Sequence, residues 1–232
     1  YRTEFMFLNR VQFPGEDEQM NIYRQVVQSS RPHLAIIRTL DLGGDKLPTH
    51  QGLDPETNPF LGWRAIRYCL GIPAAEEVEA GAMIEVPSAA LIADRLAPMV
   101  QFFSIGTNDL TQYTMAADRT NERVASLYQP THPGVLSLIR KVVEAARSHG
   151  IWVGVCGEMA SDVVMTPVLI GLGVDELSMG SVAVPRVKRA IQSLGFAECE
   201  ALALGILRLD SGEEVRQQLE LVAQQKYPEL VT

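Results

Sequence analysis

The stretch Gln101-Phe-Phe-Ser-Ile-Gly-Thr-Asn-Asp109 runs from an apolar strand directly into a glycine-led polar turn. A junction of this kind puts polar side chains at the C-terminal end of a strand. Four further apolar runs read as strands: His33–Thr39, Ala82–Val86, Trp152–Val155 and Glu176–Met179. They are continuous rather than alternating, the pattern of parallel strands covered on both faces. Polar groups close three of them: Arg38 with Asp41, then Glu85, then Cys156 with Glu158. In a βα barrel the loops after the strands converge on one face, whereas an open doubly wound sheet gathers ligands at one crevice. Chemistry after several separate strands predicts an α/β fold of the (β/α)8 TIM-type barrel.

Helical stretches alternate with these strands. Asp17–Ser29 carries Met20, Tyr23, Val26 and Val27 at helical spacing, and Pro87 opens a helix that continues through Leu96. Pro133–Ser148 repeats apolar residues at Leu136, Ile139, Val143 and Ala146 before Gly150. Ser161 or Asp162 is placed to cap a helix through Leu169, and Pro185–Leu194 forms another. In the tail, Ser211 and Glu214 have the spacing of a capping box.

With 47% hydrophobic residues, the 232-residue chain can bury a sizeable core. A net charge of −8 argues against a general partnership with nucleic acid or an anionic membrane. Its three cysteines, Cys69, Cys156 and Cys199, are odd in number and widely spaced, which fits free thiols in the cytoplasm. No apolar run approaches the length of a membrane span, so no membrane insertion is expected.

Glu85 and Asp109 are hard oxygen donors just past successive strands, suited to Mg²⁺; equally, each could cap a helix or pair with an arginine. Arg2, Arg38, Arg64 and Arg119 are candidates for an anion, because a planar guanidinium matches carboxylate and phosphate. Arg38 stands out: it ends an apolar strand, where a charge needs a partner or a ligand. Gly43-Gly-Asp-Lys46 and Gly106-Thr-Asn-Asp109 offer backbone N–H groups to a phosphate, but neither matches a nucleotide-binding motif. Cys156 could exchange a proton with a substrate carbon, or be a small buried hydrophobe. The four histidines, His33, His50, His132 and His149, have no metal-ligand spacing.

Taken together, Tyr1-Arg-Thr-Glu-Phe5, Arg38-Thr-Leu-Asp-Leu-Gly-Gly-Asp-Lys46, Asn58-Pro-Phe-Leu-Gly-Trp-Arg-Ala-Ile-Arg67, Ile84-Glu-Val-Pro87, Phe102–Tyr113, Asp118-Arg119 and Cys156-Gly-Glu158 resemble enzyme I. That family is the phosphoenolpyruvate-protein phosphotransferase of the bacterial sugar phosphotransferase system, and the resemblance is to its C-terminal barrel. It implies that Glu85 and Asp109 bind Mg²⁺ and that Arg2, Arg38 and Arg119 neutralise the substrate phosphate. Asn108 and Asp109 would complete the substrate contacts, Lys46 and Arg64 lie nearby, and Cys156 would protonate the enolate carbon as pyruvate forms. The acceptor in the family is a histidine on a separate domain, which passes the phosphoryl group to the carrier HPr. The four histidines lie in no such motif, so residues 1–232 are expected to form the barrel domain alone, as a cytoplasmic homodimer in the family's manner.

The resemblance also implies absent strands. The chain begins at what resembles the family's second strand, and between Leu70 and Glu85 the family has a further segment containing its fourth. Because a true deletion would open the barrel and expose strand edges, segments missing from these residues are the expected explanation. Rival readings are the equivalent domain of pyruvate phosphate dikinase or phosphoenolpyruvate synthase, a Mg²⁺-dependent lyase, and a phosphoenolpyruvate-sensing dimerisation module. The lyase gives no reason for the arginines, and the Arg38–Lys46 and Tyr113–Arg119 stretches fit enzyme I better than the dikinase.

Overall fold

Apolar runs rich in β-branched and aromatic residues form a four-stranded parallel sheet in a computed structural model, which describes residues 1–6, 14–38 and 79–231. The strands are β1 (Gly81–Ile84), β2 (Phe102–Gly106), β3 (Trp152–Cys156) and β4 (Glu176–Ser178). They lie side by side in chain order, with Gly81 opposite Phe102, Phe102 opposite Trp152, and Gly154 opposite Glu176. The chain divides into two compact units, Tyr1–Glu76 and Glu77–Thr232, and this sheet belongs to the second.

Alternation along the strands gives the sheet two different faces. Ile84, Phe103, Ile105, Val153 and Val155 are buried on one face and join the main apolar core. The other carries Met83, Glu85, Phe102, Ser104, Trp152, Cys156 and Glu176, all half-buried. At its N-terminal edge the Phe102 and Trp152 rings stack with centroids 4.4 Å apart. Gly81 makes room for them, since a Cβ there would fall 2.2 Å from the Phe102 ring.

Helices cover the buried face. These are α2 (Pro87–Leu91), α3 (Ala93–Leu96), α4 (Thr107–Met115) and α5 (Pro133–Ser148), after α1 (Glu16–Ser30) in the first unit. The expected helix from Pro87 to Leu96 is interrupted at Ile92, whose φ of −110° and ψ of 20° leave the helical region. In α5, Pro133 occupies the first turn and His132 Nδ1 accepts from the Gly134 N–H at 3.1 Å. Its apolar stripe, Val135, Leu136, Ile139, Val142, Val143 and Ala146, is buried, and Gly150 leaves the helix at φ 68°.

The helix expected from a cap at Ser161 or Asp162 through Leu169 starts later: α6 (Glu158–Ser161) ends at Ser161, Asp162 Oδ1 accepts from the Val164 N–H at 2.9 Å, and α7 runs Thr166–Leu172 with Met165 at its N-cap. Then follow α8 (Val184–Gln192), α9 (Phe196–Ile206) and α10 (Gly212–Lys226). Ser211 Oγ accepts from the Glu214 N–H at 3.2 Å, while the Glu214 carboxylate reaches back to the Asp210 N–H at 3.1 Å. The box therefore forms with its return bond one residue earlier than in the standard motif.

In the first unit the expected strand His33–Thr39 appears only as an isolated parallel bridge between Arg38 and Arg2, supported by Arg38 N–H donating to Tyr1 O at 2.9 Å. A ladder needs a partner at each rung, and the described residues of this unit supply one at Arg2 alone. Thr39 lies outside the described residues.

Candidate functional site

The C-terminal ends of β1, β2 and β3 bring together the polar groups that the sequence placed there. Glu85 follows β1, and its carboxylate lies over Gly106 at the end of β2. A Cβ on Gly106 would come within 2.8 Å of Glu85 Oε2. From Gly106 the chain turns straight into α4, with Asn108 and Asp109 in its first turn. A helix N-terminus favours an anion, so Asp109 suits its helix as well as any ligand.

Asn108 is tied to the end of β3. Its Oδ1 accepts from the Glu158 N–H at 3.0 Å, while Thr107 Oγ1 donates to Cys156 O at 2.7 Å. With Oδ1 so engaged, the Asn108 amide presents its two N–H donors. Between these anchors, Gly157 adopts φ 103° and ψ −172°, a region open essentially to glycine. A Cβ there would meet Thr107 Oγ1 at 2.6 Å and Asn108 Oδ1 at 2.9 Å.

Cys156 is half-buried on the face that carries Glu85. Ser104 Oγ lies 3.9 Å from its sulfur, and Met83 Sδ is at the same distance of 3.9 Å on another side. Arg119 Nη1 donates to Glu158 Oε1 at 2.7 Å, which brings the Asp118-Arg119 segment to the same strand end. The Asp118 carboxyl is held below its usual range by hydrogen bonds from the Thr120 hydroxyl and N–H, with Arg119 adding to the effect.

Two contributors escaped the sequence reading. Ser104 sits within an apolar run and had no distinguishing signal. Tyr128 follows a short 3₁₀ turn, and its hydroxyl donates to Asn108 O at 3.4 Å. Burial pushes the Tyr128 phenol above its usual pKa; Arg119 opposes the shift and Glu158 adds to it. The group is a neutral donor throughout the physiological range.

Beside this cluster is a pocket of about 370 Å³ whose lining includes Tyr128, Gln129, Thr131, Glu158, Met159 and Arg216. Arg216 is held by Asp162 at 2.7 Å and Glu220 at 2.6 Å. Partial burial disfavours its charge, but hydrogen bonds to Glu220 and Asp162 outweigh that and raise its pKa.

Among the described residues, no three His, Cys, Asp or Glu side chains gather as a metal site. Glu85 and Asp109 are two oxygen donors at adjoining strand ends, a set that suits a hard cation which retains waters and substrate oxygens. Arg2 and Arg38 are brought side by side by their backbone bridge in the first unit. Asp41, Lys46, Arg64 and Cys69 lie outside the described residues. Of the described histidines, His132 and His149 lie at helix ends and His33 in an irregular stretch; His50 lies outside the described residues.

The sequence profile of the PEP-utilising enzyme, PEP-binding domain, matches residues 1–75 and 70–196, and the chain belongs to that family. Among individual relatives, it is 41% identical to the phosphoenolpyruvate-protein phosphotransferase of Bacillus subtilis (strain 168) over 267 aligned positions, covering 93% of this chain and 47% of the relative. The protein of that name from Haemophilus influenzae is 40% identical over 272 positions, covering 95% of this chain and 47% of its own. The Staphylococcus carnosus protein is 39% identical over 267 positions. The chain thus spans about half the length of the curated relatives it matches. Alignments of 267 positions exceed the 232 residues of the chain, so these relatives carry residues inside the matched span that it lacks. The two blocks of the family match meet at residues 70–75.

Proposed function

We propose that the chain is the C-terminal, phosphoenolpyruvate-binding domain of an enzyme I-type phosphotransferase. The observation that carries this reading is the gathering of Glu85, Asn108, Asp109, Arg119 and Cys156 on three neighbouring strand ends, within a chain about 40% identical to proteins of that name. The barrel reading is supported by strands that follow in chain order and by a second sheet face that is polar at one end. Closure into eight strands needs more chain than these residues supply, and the relatives carry further residues within the matched span.

In this reading Arg119, with Arg2 and Arg38, neutralises the phosphate of phosphoenolpyruvate, and the Asn108 amide donates to a substrate oxygen. Glu85 and Asp109 would hold Mg²⁺, which when bound supplies positive charge against substrate oxygens. A histidine nitrogen on another domain attacks phosphorus, a P–N bond forms, and the P–O bond to the enolate oxygen breaks. Fixed cationic groups favour this step because negative charge gathers on the enolate oxygen as the phosphoryl group departs. The Cys156 thiol then gives its proton to the enolate carbon, forming pyruvate, and the thiolate regains a proton from solvent. Ser104 Oγ is placed to donate to that thiolate. The phosphohistidine passes its phosphoryl group to an HPr-type carrier, and the complete protein works as a cytoplasmic homodimer.

The test is transfer in trans. Phosphoenolpyruvate, Mg²⁺ and this chain are mixed with the separately prepared N-terminal histidine domain of a relative. Phosphohistidine and pyruvate should appear in equal amounts. No transfer by a folded chain that binds substrate would refute the reading; transfer that requires ATP would favour a dikinase.

A further inference from the structure

The reaction outlined above leaves Glu158 without a part, although the residue touches two of its participants. Its N–H is fixed on Asn108 Oδ1 at 3.0 Å, so its main chain belongs to the rigid strand end. Its side chain is 74% exposed, and its carboxylate grips Arg119 at 2.7 Å, the arginine side chain being 36% exposed. An ion pair this open to water is weak and easily exchanged. A phosphate brings more charge than a carboxylate and can take both arms of the guanidinium fork. Room for the displaced carboxylate lies alongside, because Glu158 also lines the pocket of about 370 Å³ that has Arg216 in its wall.

We infer that Glu158 is an internal competitor for Arg119 that makes the site selective for a phosphate-bearing ligand over its dephosphorylated product. The inference rests on the reading of Arg119 as a phosphate ligand. Phosphoenolpyruvate displaces the Glu158 carboxylate from the guanidinium. Pyruvate has no phosphate with which to do so. When the phosphoryl group has left, Glu158 reclaims Arg119 and closes that subsite behind the departing product. Glu158 is accordingly a specificity-determining residue; it takes no part in breaking or making bonds.

The experiment compares the chain with Glu158→Gln and Glu158→Ala, which preserve the N–H bond to Asn108 and alter an exposed side chain. Phosphoenolpyruvate, inorganic phosphate and pyruvate are each titrated calorimetrically with Mg²⁺ present. Both variants should bind the two phosphate-bearing ligands about three- to fivefold more tightly, the scale of an exposed ion pair, with pyruvate binding unchanged. In an Arg119→Ala background the gain should vanish. Unchanged or weaker phosphate binding in the variants overturns the inference, as does equal tightening toward pyruvate or a gain that persists without Arg119. If Arg119→Ala alone leaves phosphoenolpyruvate affinity intact, the phosphate-ligand reading of Arg119 falls instead.

Discussion

At Gly157, φ 103° and ψ −172° coincide with a virtual Cβ only 2.6 Å from Thr107 Oγ1. Gly157→Ala is expected to cost about 1–3 kcal/mol of stability, measured by urea unfolding, and to weaken phosphoenolpyruvate binding because Asn108 loses its seat. Gly106→Ala acts differently. Its Cβ would enter the space of the Glu85 carboxylate, 2.8 Å from Oε2, so Mg²⁺ affinity should fall more than stability does. Cys156→Ala should retain substrate binding while slowing pyruvate formation; unchanged turnover would return the thiol to a packing role. The positions that gather at the strand ends, Glu85, Asn108, Asp109 and Cys156, were legible because polar residues there abruptly follow an apolar run. Ser104 was not, since one hydroxyl inside Phe102–Gly106 leaves the run looking apolar. Tyr128 reaches the site through a 3₁₀ turn, which has no sequence period to betray it.

Elements were readable where punctuation and periodicity agreed. Pro133–Ser148 has proline at its start, a clean apolar stripe and glycine beyond its end, and its bounds match those expected from the sequence. The helix Phe196–Ile206 was missed because apolar residues occur nearly all round it, leaving no single stripe. Its buried residues are Cys199, Ala203 and Ile206, and its backbone passes so close to α7 that a Cβ on Gly171 would meet Cys199 O at 1.9 Å. Gly171→Ala should therefore force the two helices apart at a cost of about 1–3 kcal/mol, read as a lower urea midpoint. Ser211→Ala removes the cap on the Glu214 N–H and should cost about 1 kcal/mol, with ligand affinity unchanged.

For the whole molecule, chain-ordered parallel strands were legible, whereas the first apolar run, His33–Thr39, shows among the described residues only the bridge at Arg38. Apolarity marks a segment that wants cover, but the pairing that makes it a strand depends on residues distant in sequence. The polar sheet face also has a stability signature. Burial raises the Glu176 carboxyl, so its ionisation disfavours the folded state. That penalty grows as pH rises from the unfolded carboxyl range near about 4.3 and levels off above the raised folded value. Glu176→Gln should consequently raise the melting temperature at neutral pH, with the advantage shrinking as the medium is acidified.

The proposed function makes Glu85, Asn108, Asp109 and Arg119 one Mg²⁺-dependent phosphoenolpyruvate site. It is tested most directly by titrating phosphoenolpyruvate into the folded chain with Mg²⁺ present and again with the metal chelated. Saturable binding that collapses on chelation, and weakens in Glu85→Gln and Asp109→Asn, is the expected result. No binding to a folded chain, or the same affinity with and without the metal, would contradict it.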